Sequence, residues 1–192
     1  MNSVRTRVAD VLSDVSSPVV QNTIVCLVLG IRLGSPIWAV VLALASGILP
    51  GVVIGRGMRR GEIADRHVSR RRERTLVMLT TLGGLAACWL VEAIVGASNS
   101  IQYLTSTYTI FVGALCLITI RWKWKISAHA GSAACNAVLA IAVFGPALTV
   151  GLPAVPLVMW ARVAARGHTP AQTLAGATVG AVVPLVLYGL FR

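Results

Sequence analysis

The stretch AIVGASNSIQYLTSTYTIFVGALCLITI, residues 93–120, contains no aspartate, glutamate, lysine or arginine. A charged side chain at the centre of a bilayer costs about 3 kcal/mol even on the lenient insertion scale, so such a stretch is typical of a segment within hydrocarbon. The whole chain of 192 residues is 56% hydrophobic and 12% charged, with a mean hydropathy of +0.81. It is more apolar than an ordinary soluble domain. The sequence therefore predicts an all-α, polytopic membrane protein.

A membrane-spanning helix needs about 17–25 mostly apolar residues. We expect six to seven such helices, in a single membrane-embedded domain over residues 18–192 that follows a polar segment over residues 1–17. That polar segment carries charges of both signs and is unlike a signal peptide. The first span is the weakest, because Gln21, Asn22 and Arg32 shorten its apolar centre. The candidate spans are 18–34, 36–55, 76–96, 103–121, 128–144, 147–164 and 170–190.

The net charge of +11 would by itself suit a nucleic-acid partner, but the location of the arginines favours a different explanation. Eight arginines lie between Arg56 and Arg74, between two apolar runs. Such a loop is typical of the cytoplasmic face or of contact with anionic lipid headgroups, so we expect this face in the cytoplasm. The four cysteines lie in apolar runs without a CxxC pair, which favours neither a disulfide framework nor a metal site. The expected partners are the bilayer and a lipid; a homo-oligomer is left open.

Three charged connections, at 56–75, 121–127 and 162–169, carry most of the arginines and all the lysines. The histidines His67, His129 and His168 lie in these connections or directly beside them. Two predicted spans separate each connection from the next, so all three should lie on one face. Imidazole and guanidinium groups gathered at a lipid surface suit the binding of a phosphate and attack on it.

The stretch ARVAARGHTPAQ, residues 161–172, predicts a helix start directly after His168. Thr169 is a good N-cap, Pro170 fits the first helical position, and Gln172 completes a T-x-x-Q capping box. His168 then stands at a helix N-terminus, where free N–H groups attract anions. Arg162 lies six residues earlier and can fold back toward the same anion.

The stretch WKWKISAHAGSAA, residues 122–134, predicts a second helix start of this kind. Ser127 is the expected N-cap, His129 falls in the first turn, and the N–H of Ala128 points at the same anion. Lys125 lies just outside the helix. Of two imidazoles at one place, one can act as nucleophile and the other as general acid, because a pKa near neutrality suits both roles.

These motifs resemble those of the type 2 phosphatidic acid phosphatase superfamily, membrane branch. ISAHA at 126–130 resembles its P-S-G-H motif, ARVAARGHTPAQ resembles S-R-x5-H-x3-D, and the stretch ending RRRERT at 75 resembles K-x6-R-P. The resemblance implies a bundle like the core of that superfamily and phosphoryl transfer without metal or cofactor. It implies His168 as the nucleophile, His129 as the general acid, and phosphate ligands at Arg162, Arg74, Ser127 and Ala128.

The sequence departs from the family pattern at several positions. Thr75 replaces a proline, and His67 stands where the first-motif lysine is expected, so Lys125, Arg70 or Arg66 would have to supply that charge. Gln172 replaces the aspartate that orients the nucleophile; a glutamine can accept a hydrogen bond but carries no charge. Ala128 and Ala161 replace a glycine and a serine.

A glutamine in the place of Gln172 also resembles the polyprenyl and dolichyl diphosphate phosphatases. We therefore expect an isoprenoid diphosphate as the substrate and a hydrolysis that proceeds through a phosphohistidine intermediate. The alternatives are a phosphatase for phosphatidic acid or phosphatidylglycerol phosphate, a lipid phosphotransferase, and a non-catalytic lipid-binding relative. A basic loop that docks a cytoplasmic partner is the last alternative.

Overall fold

The computed structural model describes residues 4–191, and over this range the chain is helical, without a β-strand. A five-residue π-helix, Leu44–Ile48, joins the third helix to the fourth, and a 3-10 helix, Pro146–Gly151, precedes the eighth. The α-helices are α1 Val4–Val15, α2 Pro18–Arg32, α3 Pro36–Ala43, α4 Leu49–Arg59, α5 Arg71–Val95, α6 Asn99–Arg121, α7 Ala128–Phe144, α8 Ala154–Ala164 and α9 Pro170–Leu190.

Among the described residues, five helical segments are long and apolar enough to cross a membrane, which confirms a multi-pass membrane protein. They are Pro36–Arg59, Arg71–Val95, Asn99–Arg121, Pro146–Ala164 and Pro170–Leu190. A sixth span results if α1 and α2, which are bent by 44° at their junction, are taken together. Of the expected six to seven spans, six agrees with the upper count for the described residues, and a seventh is not found. The reason is length, because α2 alone has 15 residues and α7 has 17.

The polar N-terminal segment is itself largely helical. Ser17 caps α2 by accepting a hydrogen bond from the N–H of Val20, and Pro18 takes the first helical position. The preceding helix α1 packs against α8 and buries Ala9 and Ser13 completely. Residues 1–3 of the segment lie outside the described range. The N-terminal segment is therefore part of the folded bundle.

Helix α7 lies at the centre of the bundle, and its main neighbour is α9. The contact is close because Gly176 and Gly180 of α9 meet the α7 backbone at Ser127 and Gly131. A Cβ at either glycine would overlap a carbonyl oxygen of α7, as the GxxxG spacing predicts for close helix packing. This contact fixes the first turn of α7 relative to the first turn of α9, and these two turns carry His129 and the residues that follow His168.

Candidate active site

The three histidines meet at one end of the bundle. The ring centroids of His67 and His129 are 5.6 Å apart, and both side chains line the same cavity as His168. The three charged connections therefore lie on one face, as the count of intervening spans predicts. What brings the histidines together is tertiary packing, since they belong to a loop, to the start of α7 and to the turn before α9.

The chain reverses direction between α8 and α9 around one carbonyl group. The N–H groups of Gly167 and His168 both donate to the carbonyl oxygen of Arg162, at 3.0 and 3.2 Å. Thr169 then begins α9 with the predicted capping box, in which its hydroxyl accepts from the N–H of Gln172. The turn folds His168 back over the last turn of α8, next to the side chain of Arg162.

Two acceptors determine the tautomer of His168. Its Nδ1 atom lies 3.2 Å from the carbonyl oxygen of Lys125 and 3.2 Å from Oε1 of Gln172. Both partners are oxygen acceptors when the amide is placed in this way, so Nδ1 carries the proton and Nε2 keeps its lone pair. A neutral imidazole with a free Nε2 is the form that a nucleophile requires.

The surroundings of His168 also keep its imidazole neutral. Burial, and then the positive charges of Arg162, Lys125 and Arg74, together lower the pKa of His168 from 6.5 to about 3. The pKa of Lys125 is likewise lowered, by burial and then by Arg74 and Arg162. Cations held this close together form a field that a bound anion would relieve.

Arg162 is buried, with 3% of its surface exposed, and it is incompletely hydrogen-bonded. Its Nη1 lies 3.4 Å from Nδ1 of His67, while its Nε has no hydrogen-bond partner within residues 4–191. A Cβ built on Gly167 would lie only 2.5 Å from Nη2, so the glycine makes room for the guanidinium. A buried donor without a partner is costly, and a phosphate oxygen is a suitable acceptor.

Arg74 connects the cavity to the loop that carries His67. Its Nη2 donates to the carbonyl oxygens of Ser69, at 3.0 Å, and Val68, at 3.4 Å. The side chain is buried and lines the cavity.

Arg70, which the sequence also proposes as a phosphate ligand, is placed elsewhere. Its side chain is 73% exposed, pairs with Glu73 at 3.5 Å, and does not contribute to the cavity wall.

Ser127 and Ala128 have different positions at the start of α7. The Ser127 hydroxyl caps the helix by accepting from the N–H of Ala130, and its own N–H donates to the carbonyl oxygen of Gln172 at 3.1 Å. Ser127 is fully buried, whereas Ala128 and His129 line the cavity. Nε2 of His129 is buried and lacks a hydrogen-bond partner in the part of the chain that the structure describes.

One residue of the site has no role in the sequence analysis. Asp14, in α1, places Oδ2 at 2.8 Å from Nη2 of Arg66 and Oδ1 at 3.4 Å from Nε2 of His67. Asp14 follows Asp10 by one helical turn, on a helix whose Ala9 and Ser13 are buried. The spacing of these residues by one helical turn is the one indication in the sequence that α1 packs on the bundle. It does not identify the side chain that Asp14 contacts.

The cavity has a volume of about 130 Å³ and a basic end that continues into apolar walls. Along α5, Arg74 is followed on the cavity wall by Val77, Met78 and Thr81, a rise of about 10 Å. The facing wall on α6 is formed by Phe111, Val112 and Leu115. Such a cavity fits a molecule with a charged head and an apolar tail. Among the described residues, histidine, cysteine and acidic side chains form no cluster suited to a metal ion.

Comparisons with protein-family models, with curated proteins and with solved structures find no match. The resemblance to the phosphatase superfamily therefore rests on the three sequence motifs alone.

Proposed function

We propose that this chain is an integral-membrane phosphatase for lipid phosphates or diphosphates, related to the type 2 phosphatidic acid phosphatases. The observation that carries the proposal is the environment of His168. Its Nδ1 is held by Lys125 and Gln172, which leaves the Nε2 lone pair free on a ring that lines the cavity together with Arg74 and that feels the positive charge of Arg162. A nucleophile, phosphate donors and an apolar wall are the three parts that hydrolysis of a lipid phosphate requires.

In the proposed reaction, Nε2 of His168 attacks the phosphorus in line with the lipid oxygen. The N–P bond forms as the P–O bond to the lipid breaks, and the leaving oxygen takes a proton from His129. Water then attacks the phosphohistidine, His129 accepts a proton from that water, and phosphate leaves. Arg162, Arg74 and the N–H of Ala128 would neutralise the charge on the phosphoryl oxygens, which supplies most of the rate in such transfers.

His129 must be protonated to act as the acid. Burial, and then the charges of Arg162, His67 and His168, lower the pKa of His129, so the neutral imidazole is favoured before a substrate binds. A bound phosphate brings negative charge to the same place and reverses that preference. The proton on His129 is therefore expected to arrive together with the substrate.

An isoprenoid diphosphate is the substrate that we favour. Gln172 holds His168 through an amide oxygen, as in the diphosphatase branch that the sequence resembles, and one apolar cavity wall follows Arg74 along α5. Phosphatidic acid and phosphatidylglycerol phosphate, which carry two chains on a glycerol, are the alternative substrates, and transfer to a lipid acceptor in place of water is the alternative second step.

Phosphate release tests the proposal. Purified protein in detergent with EDTA should release phosphate from farnesyl diphosphate, from phosphatidic acid, or from both, and His168→Ala should abolish the release. The exposed Arg71 at the start of α5 provides a control, because Arg71→Ala removes a charge outside the cavity. Release that persists in His168→Ala, or that EDTA abolishes, would contradict the proposal.

A second candidate is a lipid-binding relative without turnover. It is favoured by the amide of Gln172, which accepts a hydrogen bond from His168 but offers no negative charge to an imidazolium. This candidate predicts that folded wild-type protein binds a lipid phosphate and releases no phosphate from it.

A further inference from the structure

The N-terminal helix places a carboxylate at the start of a series of close polar contacts that leads through His67 to Arg162. Oδ1 of Asp14 lies 3.4 Å from Nε2 of His67, and Nδ1 of the same ring lies 3.4 Å from Nη1 of Arg162. The three side chains belong to α1, to the loop before α5 and to α8. The series thus joins parts of the sequence that are far apart, and the resemblance to known phosphatases assigns nothing to its first member.

The direction of the hydrogen bond between Arg162 and His67 follows from the chemistry of the guanidinium. Arginine is a donor at every nitrogen and has no acceptor, so Nδ1 of His67 must accept from Arg162. A neutral imidazole then carries its proton on Nε2, which lies 3.4 Å from Oδ1 of Asp14, a buried oxygen without a hydrogen-bond partner among the described residues. A carboxylate in this place fixes the ring tautomer and makes the opposite nitrogen a better acceptor, as it does behind metal-bound histidines.

We propose that Asp14 is a positioning residue, which fixes His67 in the Nε2–H tautomer and through it holds the Arg162 guanidinium with Nε directed to the bound phosphate. The first step rests on the hydrogen bond between Arg162 and His67 and on the close approach of the Asp14 carboxylate to Nε2; the step that involves phosphate rests on the proposed function. The N-terminal helix thereby supplies a carboxylate to the site, whereas the third motif supplies only the uncharged amide of Gln172.

The contacts from Asp14 through His67 affect the position of Arg162 because its guanidinium is buried. The guanidinium is packed against Gly167 at Nη2, bonded to His67 at Nη1, and without a partner at Nε within the described residues. If His67 changed tautomer, its Nδ1–H would face Nη1, and two donors would oppose each other in a buried place. The guanidinium would then have to turn away, and its Nε would no longer face the anion.

A simpler role for Asp14 is a clamp between α1 and the loop, through its ion pair with Arg66. The two roles separate cleanly by mutation. Arg66→Gln removes the ion pair and leaves the carboxylate beside His67, whereas Asp14→Ala removes both. Asp14→Asn keeps an oxygen that can accept from Nε2–H and removes the charge. Asp10→Ala is the control, because it removes a carboxylate one turn earlier on the same helix.

The test is nitrogen NMR of the histidine side chains in detergent-solubilised protein, with the His67 resonances assigned by their loss in His67→Gln. Wild type, Asp10→Ala and Arg66→Gln should show His67 as the Nε2–H tautomer. Asp14→Ala should show a mixture or the Nδ1–H tautomer, and Asp14→Asn should recover the wild-type form. An Nδ1–H tautomer in the wild type would overturn the proposal, even if Asp14→Ala failed to fold.

Binding of inorganic phosphate to the same proteins is the second readout. Asp14→Ala should weaken it about tenfold, the size of one hydrogen bond to a charged group, and Asp10→Ala should not. Unchanged phosphate affinity in Asp14→Ala would contradict the link to Arg162. If Asp14→Ala changes the His67 tautomer as predicted but the wild type binds no phosphate, the positioning of His67 by Asp14 is supported and the proposed function is contradicted.

Discussion

Oε1 of Gln172 lies 3.2 Å from Nδ1 of His168 and 3.1 Å from the backbone N–H of Thr169. One amide oxygen therefore serves both as the reciprocal half of the capping box and as an acceptor for the imidazole. The geometry of a helix start and the orientation of the proposed nucleophile depend on the same side chain. Their contributions can be separated, because the Thr169 hydroxyl takes part only in the cap.

Gln172→Leu should lower kcat for phosphate release by at least about tenfold, because it removes one of the two acceptors that keep the proton of His168 on Nδ1 and the lone pair on Nε2. Thr169→Ala should cost about 1 kcal/mol of stability through the lost cap, with a much smaller change in kcat. The measurements are initial rates at saturating substrate and thermal unfolding of both variants. Equal losses of kcat in the two variants would show that only the cap matters.

Gly167→Ala should impair phosphate binding while the protein remains folded. Its Cβ would lie 2.5 Å from Nη2 of Arg162 and would displace the guanidinium. We expect KM for the lipid phosphate to rise about tenfold, equivalent to about 1.4 kcal/mol. Gly151→Ala is the control, because a Cβ at Gly151 meets no atom within 4 Å. The prediction is wrong if Gly167→Ala keeps the wild-type KM.

Gly180→Ala should destabilise the bundle, because its Cβ would overlap the carbonyl group of Gly131 across the contact of α7 with α9. Backbone cannot move aside as a side-chain end can, so we expect a loss of about 1–3 kcal/mol, typical of an overpacked core. The readout is the midpoint of thermal unfolding in detergent. Gly189→Ala, on the same helix and in open space, should leave the midpoint unchanged or raise it; a similar fall in both variants would point to a general effect of alanine.

The sequence predicts the helical membrane fold well because its dominant information is hydropathy. Each of the seven expected segments corresponds to a helical segment whose bounds lie within five residues of the predicted ones, including 128–144, found as Ala128–Phe144. The capping motifs at Ser127 and Thr169 are local and were predicted correctly. The number of spans was less accurate, because apolarity alone does not give the length of α2 or α7.

Long-range contacts in the site were not predictable to the same extent. Nothing in the sequence around Asp14 indicates that it would meet His67, because the contact depends on how α1 packs against α8. Arg70 and Arg74 also have similar local sequences, yet one is exposed and the other buried. The difference arises from the turn of the loop over residues 65–69, where Asp65 accepts from the N–H groups of His67 and Ser69.

Stability should fall as the pH is lowered from 6.5 toward 3. The pKa of His168 is about 3 in the folded protein and 6.5 without the surrounding structure, because burial and then Arg162 oppose its protonation. In this interval the unfolded chain binds more protons, so the free energy of unfolding rises with pH and decreases on acidification. His67, whose pKa is also lowered, acts in the same direction.

His168→Gln should reduce this slope, since glutamine does not titrate. The measurement is the unfolding midpoint of wild type and variant at several pH values between 6.5 and 4. Parallel curves for the two proteins would contradict the depressed pKa of His168. Steeper dependence in the variant would contradict it as well.

Radiolabelling of the protein by its substrate is the decisive test of the phosphohistidine intermediate on His168. Wild-type protein in detergent with EDTA is mixed with a radiolabelled isoprenoid diphosphate and, separately, phosphatidic acid, then quenched in base, where phosphohistidine survives. The account predicts a base-stable, acid-labile phosphoryl group on the peptide that contains His168, and no such label in His168→Gln. Phosphate release without any label on His168, or an equal label in His168→Gln, would contradict it.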